Sequence, residues 1–236
     1  MATTKKADLA SSGFSRALMG ILDQDDNVTK VIIIDRHSGG TIELKTSGFQ
    51  GQGNTVFASN ISYWISNPGV GTGKVELTLA SLPSEVATEI LGDELNEDGV
   101  YVTKGTVKEP YVAIIGETQD LHNNLAYVGI AKAKFGTTDG DDLKTGDDKG
   151  IKPENVSISG TAITRTDNVL KAKATTSDAG VTLKTFAKLM FPGFTGDLPA
   201  TPDELPNDPD NTGHLGNGAG DGSSNTATTV DNKPTV

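Results

Sequence analysis

Three stretches of the chain place oxygen-bearing side chains or glycines at spacings that chemistry uses. Asp23, Asp25 and Asn27 stand at the first, third and fifth positions of a calcium loop, which also needs a glycine at its sixth position and a glutamate at its twelfth. Val28 and Ile34 occupy those places, so a plain hairpin turn is the better account. Asp139, Asp141, Asp142, Asp147 and Asp148 supply enough carboxylates for a cation, yet no frame alternates ligands correctly and Lys144 and Lys149 interrupt the run. A solvated loop explains it. The segment GVGTGK (69–74) has the glycines of a phosphate loop, but Pro68 sits where the first glycine belongs and Val75 where the hydroxyl residue belongs. A strand pattern follows where a helix would have to begin, so the segment reads as a turn.

No nucleophile or metal set emerges elsewhere. His37, His122 and His214 fall in three separate apparent loops with no HExxH spacing, no serine lies in a nucleophile elbow, and the chain has no cysteine. Paired carboxylates do not stand out either, so no enzyme, metal or cofactor is implied. Tyr63 and Trp64 could stack on a sugar ring. Adjacent aromatics on a strand point to opposite faces, however, which favours core or interface packing.

The elements that would carry these residues are mostly strands. KVELTLA (74–80) alternates strictly, with Val75, Leu77 and Leu79 on one face. A short helix follows over 81–92: Pro83 suits a first turn, Ser81 or Ser84 can cap, Gly92 supplies a left-handed stop, and Leu82, Val86 and Ile90 form the buried stripe. A turn at 96–99 leads to strands at 100–103, 109–116 and 125–135, which read as an antiparallel meander. Upstream, 14–22 and 28–35 look like a hairpin, and the four consecutive apolar residues Val31, Ile32, Ile33 and Ile34 predict a central strand covered on both faces. Downstream, a polar loop at 136–150 precedes strands at 156–164 and 169–175. A closing helix over 181–191 then sets Leu183, Phe186, Leu189 and Met190 on one face, with Pro192 and Gly193 ending it.

Composition bounds the rest. Aromatics make up 5% and glycines number 28, the bias of a β-rich chain with many tight turns. No apolar run follows Lys5 and Lys6 and nothing approaches the roughly 18 apolar residues of a membrane span, so neither a secretory signal nor a membrane segment is expected. The absence of cysteine fits synthesis in a reducing cytosol. The net charge of −11 argues against tight binding of nucleic acid. Residues 195–236 hold seven acidic groups and one lysine, a net of −6, and are rich in Gly, Pro, Asn, Ser and Thr. Alone, that segment is expected to be a disordered tail.

The succession SEVATEILG (84–92), DGVYV (98–102), EPYVAIIGE (109–117) and LAYVGIAKAKF (125–135) resembles the major tail proteins of long-tailed phages infecting Gram-positive bacteria. The resemblance continues through NVSISGTAITR (155–165), similar to the family's strand that ends in an arginine-bearing turn, and covers residues 70–194. It implies a mainly β fold with one or two short helices, a β-sandwich or open barrel flanked by a helix and able to form rings. Residues 1–194 would be the tail tube domain, with an amino-terminal arm at 1–20 and an extended loop at 36–60, followed by the acidic tail 195–236.

The same resemblance implies a structural virion protein made in the host cytoplasm. It would polymerise as stacked hexameric rings into a tail tube through which DNA passes without tight binding. Tape measure, tail terminator and baseplate proteins would be its partners. Ring contacts are expected at the extended loop, around Phe49, Val56 and Phe57, with the amino-terminal arm and the 136–150 loop as further stacking elements. An alternative of a different class is a carbohydrate-binding or adhesive β-sandwich on a virion or cell surface, motivated by the glycines, the asparagines and the Tyr63–Trp64 pair.

Overall fold

Strict alternation becomes strand with little rearrangement. A computed structural model of the protein describes residues 11–199, apart from 52, 67, 68, 137–144 and 146–153. Among the described residues twelve strands and two short helical elements follow one another: β1 (Ser12–Leu22), β2 (Val28–Ile34), β3 (Thr41–Ser47), β4 (Thr55–Ala58), β5 (Ile61–Ile65), β6 (Gly73–Leu79), a π-helical turn (Val86–Ile90), β7 (Glu94–Leu95), β8 (Tyr101–Val102), β9 (Tyr111–Gln119), β10 (Leu125–Phe135), β11 (Val156–Ala162), β12 (Lys171–Thr175) and α1 (Leu183–Met190).

Eight strands form one antiparallel sheet in the order β2-β1-β9-β10-β11-β6-β3, with β12 also on β10. The long strand β10 is the branch point. Residues 126–130 pair with β12 and residues 133–135 pair with β11. Beyond that fork β11, β6 and β3 curl over the remaining strands, so that Thr41 at the start of β3 donates its hydroxyl to the Phe14 carbonyl of β1 at 2.9 Å. The result is an open barrel.

Its interior collects Met19, Ile32, Ile34, Val112, Ile114 and Ile130 from one wall and Val75, Leu77, Leu79 and Ile158 from the other. Residues of opposite parity, among them Leu18, Ile33, Ala113, Ile115 and Tyr127, face outward and are covered by Leu183, Phe186, Ala187 and Met190 of α1. An eight-residue helix is too short to stand alone in water. Burying each large apolar side chain contributes about 1.5–3 kcal/mol, which holds it on the sheet. Gly129 of β10 makes room for it: a Cβ there would lie 2.7 Å from the Met190 sulfur.

Several expectations need correction. β2 is covered on both faces, as its apolar run predicts, but it is an edge strand, because helix and barrel interior bury it without a second strand neighbour. Leu189 is 45% exposed and Ala187 takes its place on the buried face of α1. The helix expected over 81–92 shortens to residues 84–90, of which Val86–Ile90 form a π-helical turn closed by Leu91 N–H to the Val86 carbonyl at 3.0 Å, with no side-chain cap. Gly92 does take the left-handed conformation there, at φ 78°. The strand at 100–103 leaves the meander and pairs with β7 instead. Residues 12–20 of the expected arm lie in β1, and the expected 36–60 loop contains β3 and β4. Residues 1–10, nearly all of the 136–150 loop and residues 200–236 of the acidic tail lie outside the described residues.

Candidate assembly surface

Between β3 and β6 the chain makes a long excursion with its own small sheet, β4 paired with β5. The excursion leaves the barrel through a neck in which two backbones run unusually close. Gly51 N–H donates to the Gly69 carbonyl at 2.9 Å, Gly71 N–H donates to the Phe49 carbonyl at 3.1 Å, and Gln50 bridges Val70. A Cβ on Gly51 would lie 2.2 Å from the Gly69 oxygen, and one on Gly71 would lie 2.4 Å from the Gly48 oxygen. The glycine-rich stretches thus answer a steric demand, and the 69–74 segment, expected to be a turn, is the returning leg of this neck and the start of β6.

At the tip, Ser59 and Asn60 both take positive φ, 53° and 66°, the turn that matches the twist of a two-residue hairpin. The strands it joins carry no charged residue between Thr55 and Ile65. Every residue of both strands is exposed. Phe57 is 70% exposed, Tyr63 75% and Trp64 56%, beside Val56, Ile61 and Ile65. Core packing of the Tyr63–Trp64 pair is therefore excluded. A free two-stranded hairpin with apolar groups on both faces has nothing of its own to bury them against.

Of the expected contact residues, Val56 and Phe57 lie on this hairpin. Phe49 does not; its half-buried ring packs on the barrel core beside Gly73, under the Lys171 ammonium at 5.1 Å. Val86 and Ile90 are fully buried in the barrel interior, and Leu82 packs half-buried against them. A second exposed apolar cluster, missed in the sequence, surrounds β7 and β8 and includes Leu95, Val100, Tyr101 and Val102.

The charged side chains that are buried act as fasteners. Arg16 and Glu117 are cross-strand partners on β1 and β9, with Nη2 to Oε2 at 3.0 Å and both side chains inaccessible. Burial pushes the Glu117 carboxyl up, against the pull of Arg16. Burial, with the Glu117 charge added, also pushes the neighbouring Tyr127 hydroxyl up to about 12. The supposed calcium loop is a hairpin turn in which the Asp23 Oδ1 accepts the N–H groups of Asp25 and Asn27, at 2.9 and 2.8 Å. His37 and His122 lie in separate turns, their N–H groups donated to Asp35 and Asp120 respectively. Among the described residues no group of three or more His, Asp or Glu is placed to hold a metal, and no helix is long and apolar enough to cross a membrane. His214 and the aspartates at 139–148 lie outside the described residues.

A family model described as phage tail tube protein matches residues 9–198. No curated protein matches the chain significantly.

Proposed function

The chain belongs to the phage tail tube protein family, and from that premise we propose that it polymerises as stacked hexameric rings into a siphovirus tail tube, the conduit for DNA ejection. The uncharged, exposed β4–β5 hairpin carries this reading. Such a surface is unstable in a lone subunit and becomes buried when rings stack, with Val56 and Phe57 among its contacts. Among the described residues β2, β3 and β12 each have one strand neighbour and leave backbone donors and acceptors that neighbours around a ring can pair.

Outside the tail the chain keeps a net charge of −5, from −11 less the −6 of residues 195–236, a balance that suits passage of duplex DNA, because an acidic wall would release no counterions and would not hold the phosphates. Its repulsion reaches only about 8–10 Å at physiological salt, which is adequate across a narrow lumen. Tape measure, terminator and baseplate proteins complete the tail.

The test is negative-stain electron microscopy of the purified full chain at low and high concentration, with light scattering in parallel. Hollow six-fold rings or tubes are expected. A monomer that persists even when a tail initiator complex is added would overturn the reading and favour the carbohydrate-binding alternative, for which Tyr63 and Trp64 would be the platform.

A further inference from the structure

A tube of identical subunits stacked in one direction is heterologous: each copy must present two unlike patches that fit one another. The stacking reading above supplies one, the β4–β5 hairpin, and leaves its counterpart unassigned. We propose that the hairpin of one copy seats on the β7–β8 hairpin of a copy in the adjoining ring.

Three observations converge on this pairing. Among the described residues, most large exposed apolar side chains lie on these two hairpins and, with Val70, on the neck of the first, while Ile42, Tyr111, Leu121, Ile163 and Leu189 are exposed elsewhere. The two hairpins also leave the barrel from opposite ends of one strand. The β4–β5 excursion returns to the start of β6 at Gly73, whereas the end of β6 at Leu79 leads through the π-helical turn into β7. The six residue steps of β6 from Gly73 to Leu79 span about 20 Å, at roughly 3.3 Å per residue. That is the polarity a stack needs.

Charge completes the match. Exposed Lys74 stands where β6 meets the neck, beside Lys45 of β3, which shares its charge with Glu76 at 3.9 Å, and the β7–β8 turn exposes Glu97 and Asp98. The receiving hairpin is also held in place before it binds. Asn96 Oδ1 accepts the N–H groups of Asp98 and Val100 at 3.0 and 2.8 Å, Thr103 donates to Asp93 at 2.6 Å, and Lys104 pairs with Glu94. An ordered receptor loses little conformational freedom on docking.

The chain's lack of cysteine makes the test direct. Phe57→Cys and Tyr101→Cys are introduced singly and together in the full chain, tubes are assembled, and a short bismaleimide is added; Tyr63→Cys with Leu95→Cys provides a second pair. A ladder of cross-linked multimers in a double variant, with neither single variant forming one, is the expected result. Tubes that remain uncross-linked in both double variants overturn the pairing and leave the tube reading standing, as do tubes in which Phe57→Cys alone yields dimers. Absence of tubes from the unsubstituted chain, even with a tail initiator complex added, overturns both. In parallel, Lys74→Glu should suppress assembly, and adding Glu97→Lys with Asp98→Lys should restore it; failure of that restoration in a folded triple variant also counts against the pairing.

Discussion

The guanidinium of Arg165 donates to the carbonyl oxygen of Met190 at 2.9 Å, so a turn residue closes the end of a helix 25 residues further along the chain. Its second Nη reaches the Leu189 carbonyl at 2.7 Å, and Asp167 accepts from Nε and Nη2 at 3.0 and 2.7 Å, fixing the fork. Carbonyls at a helix end have no partner within the helix. Arg165→Ala would strip two of them of a charged donor in a buried site. It should lower stability by about 2–4 kcal/mol, read as the shift in urea unfolding. Arg165→Lys keeps the charge but not the planar fork and should recover only part of the loss.

A second tie joins the β1–β2 turn to the same region. Asp26 accepts from Thr166 N–H at 3.2 Å and from the Thr166 hydroxyl at 2.9 Å, while its other oxygen takes the Lys132 ammonium. Burial works to raise its pKa, but the hydrogen bonds from Lys132 and Thr166 outweigh it and hold the carboxyl below its ordinary value. A carboxyl depressed in the folded state contributes stability above its unfolded pKa and loses it as pH falls through the folded one. Asp26→Asn should therefore reduce stability at neutral pH and flatten the acid limb. Urea midpoints measured between about pH 7 and pH 3 would show the variant and the parent converging.

The Arg16–Glu117 pair behaves differently, because burial raises Glu117 in spite of its partner. The ionised carboxylate is then a cost of folding that grows as pH rises through the raised pKa. Truncating one member leaves the other charge buried, so Glu117→Ala should cost about 3–5 kcal/mol. Arg16→Met with Glu117→Leu, which removes both charges and fills the space, should cost less than either single truncation, as a double-mutant unfolding cycle would show.

Much of this architecture is legible in the residues themselves. The face of β6 follows from Val75, Leu77 and Leu79, and the β1–β2 and β9–β10 pairings follow from apolar runs joined by Asp- and Asn-rich turns. Period and turn chemistry are local properties, which is why they can be read. The edge position of β2 was not legible, because burial by a helix and burial by a strand leave the same apolar run. Nor was the inward packing of Phe49, since its place depends on Gly73 and on Lys171, far away in sequence. The exposed hairpin is the instructive case. An apolar, uncharged strand pair signals burial, and the sequence does not say that the burying surface lies outside the subunit.

That distinction makes the hairpin separable from the fold. Phe57, Tyr63 and Trp64 are mostly exposed and contribute little to the subunit's own packing. Replacing Phe57 and Trp64 by serine should leave urea unfolding of the unassembled chain within about 0.5 kcal/mol of the parent, as for surface positions generally. The same pair should abolish or strongly raise the concentration needed for tube formation, because large aromatics at the centre of an interface supply most of its affinity. Phe49→Ser, a few residues away, should do the reverse: it removes a ring packed on the barrel core and destabilises the subunit whether or not it assembles. Unfolding and sedimentation measured on the same samples distinguish the two. If Phe57 and Trp64 proved to affect stability and not assembly, the hairpin would have to be part of the subunit's own core, and the stacking role would fail.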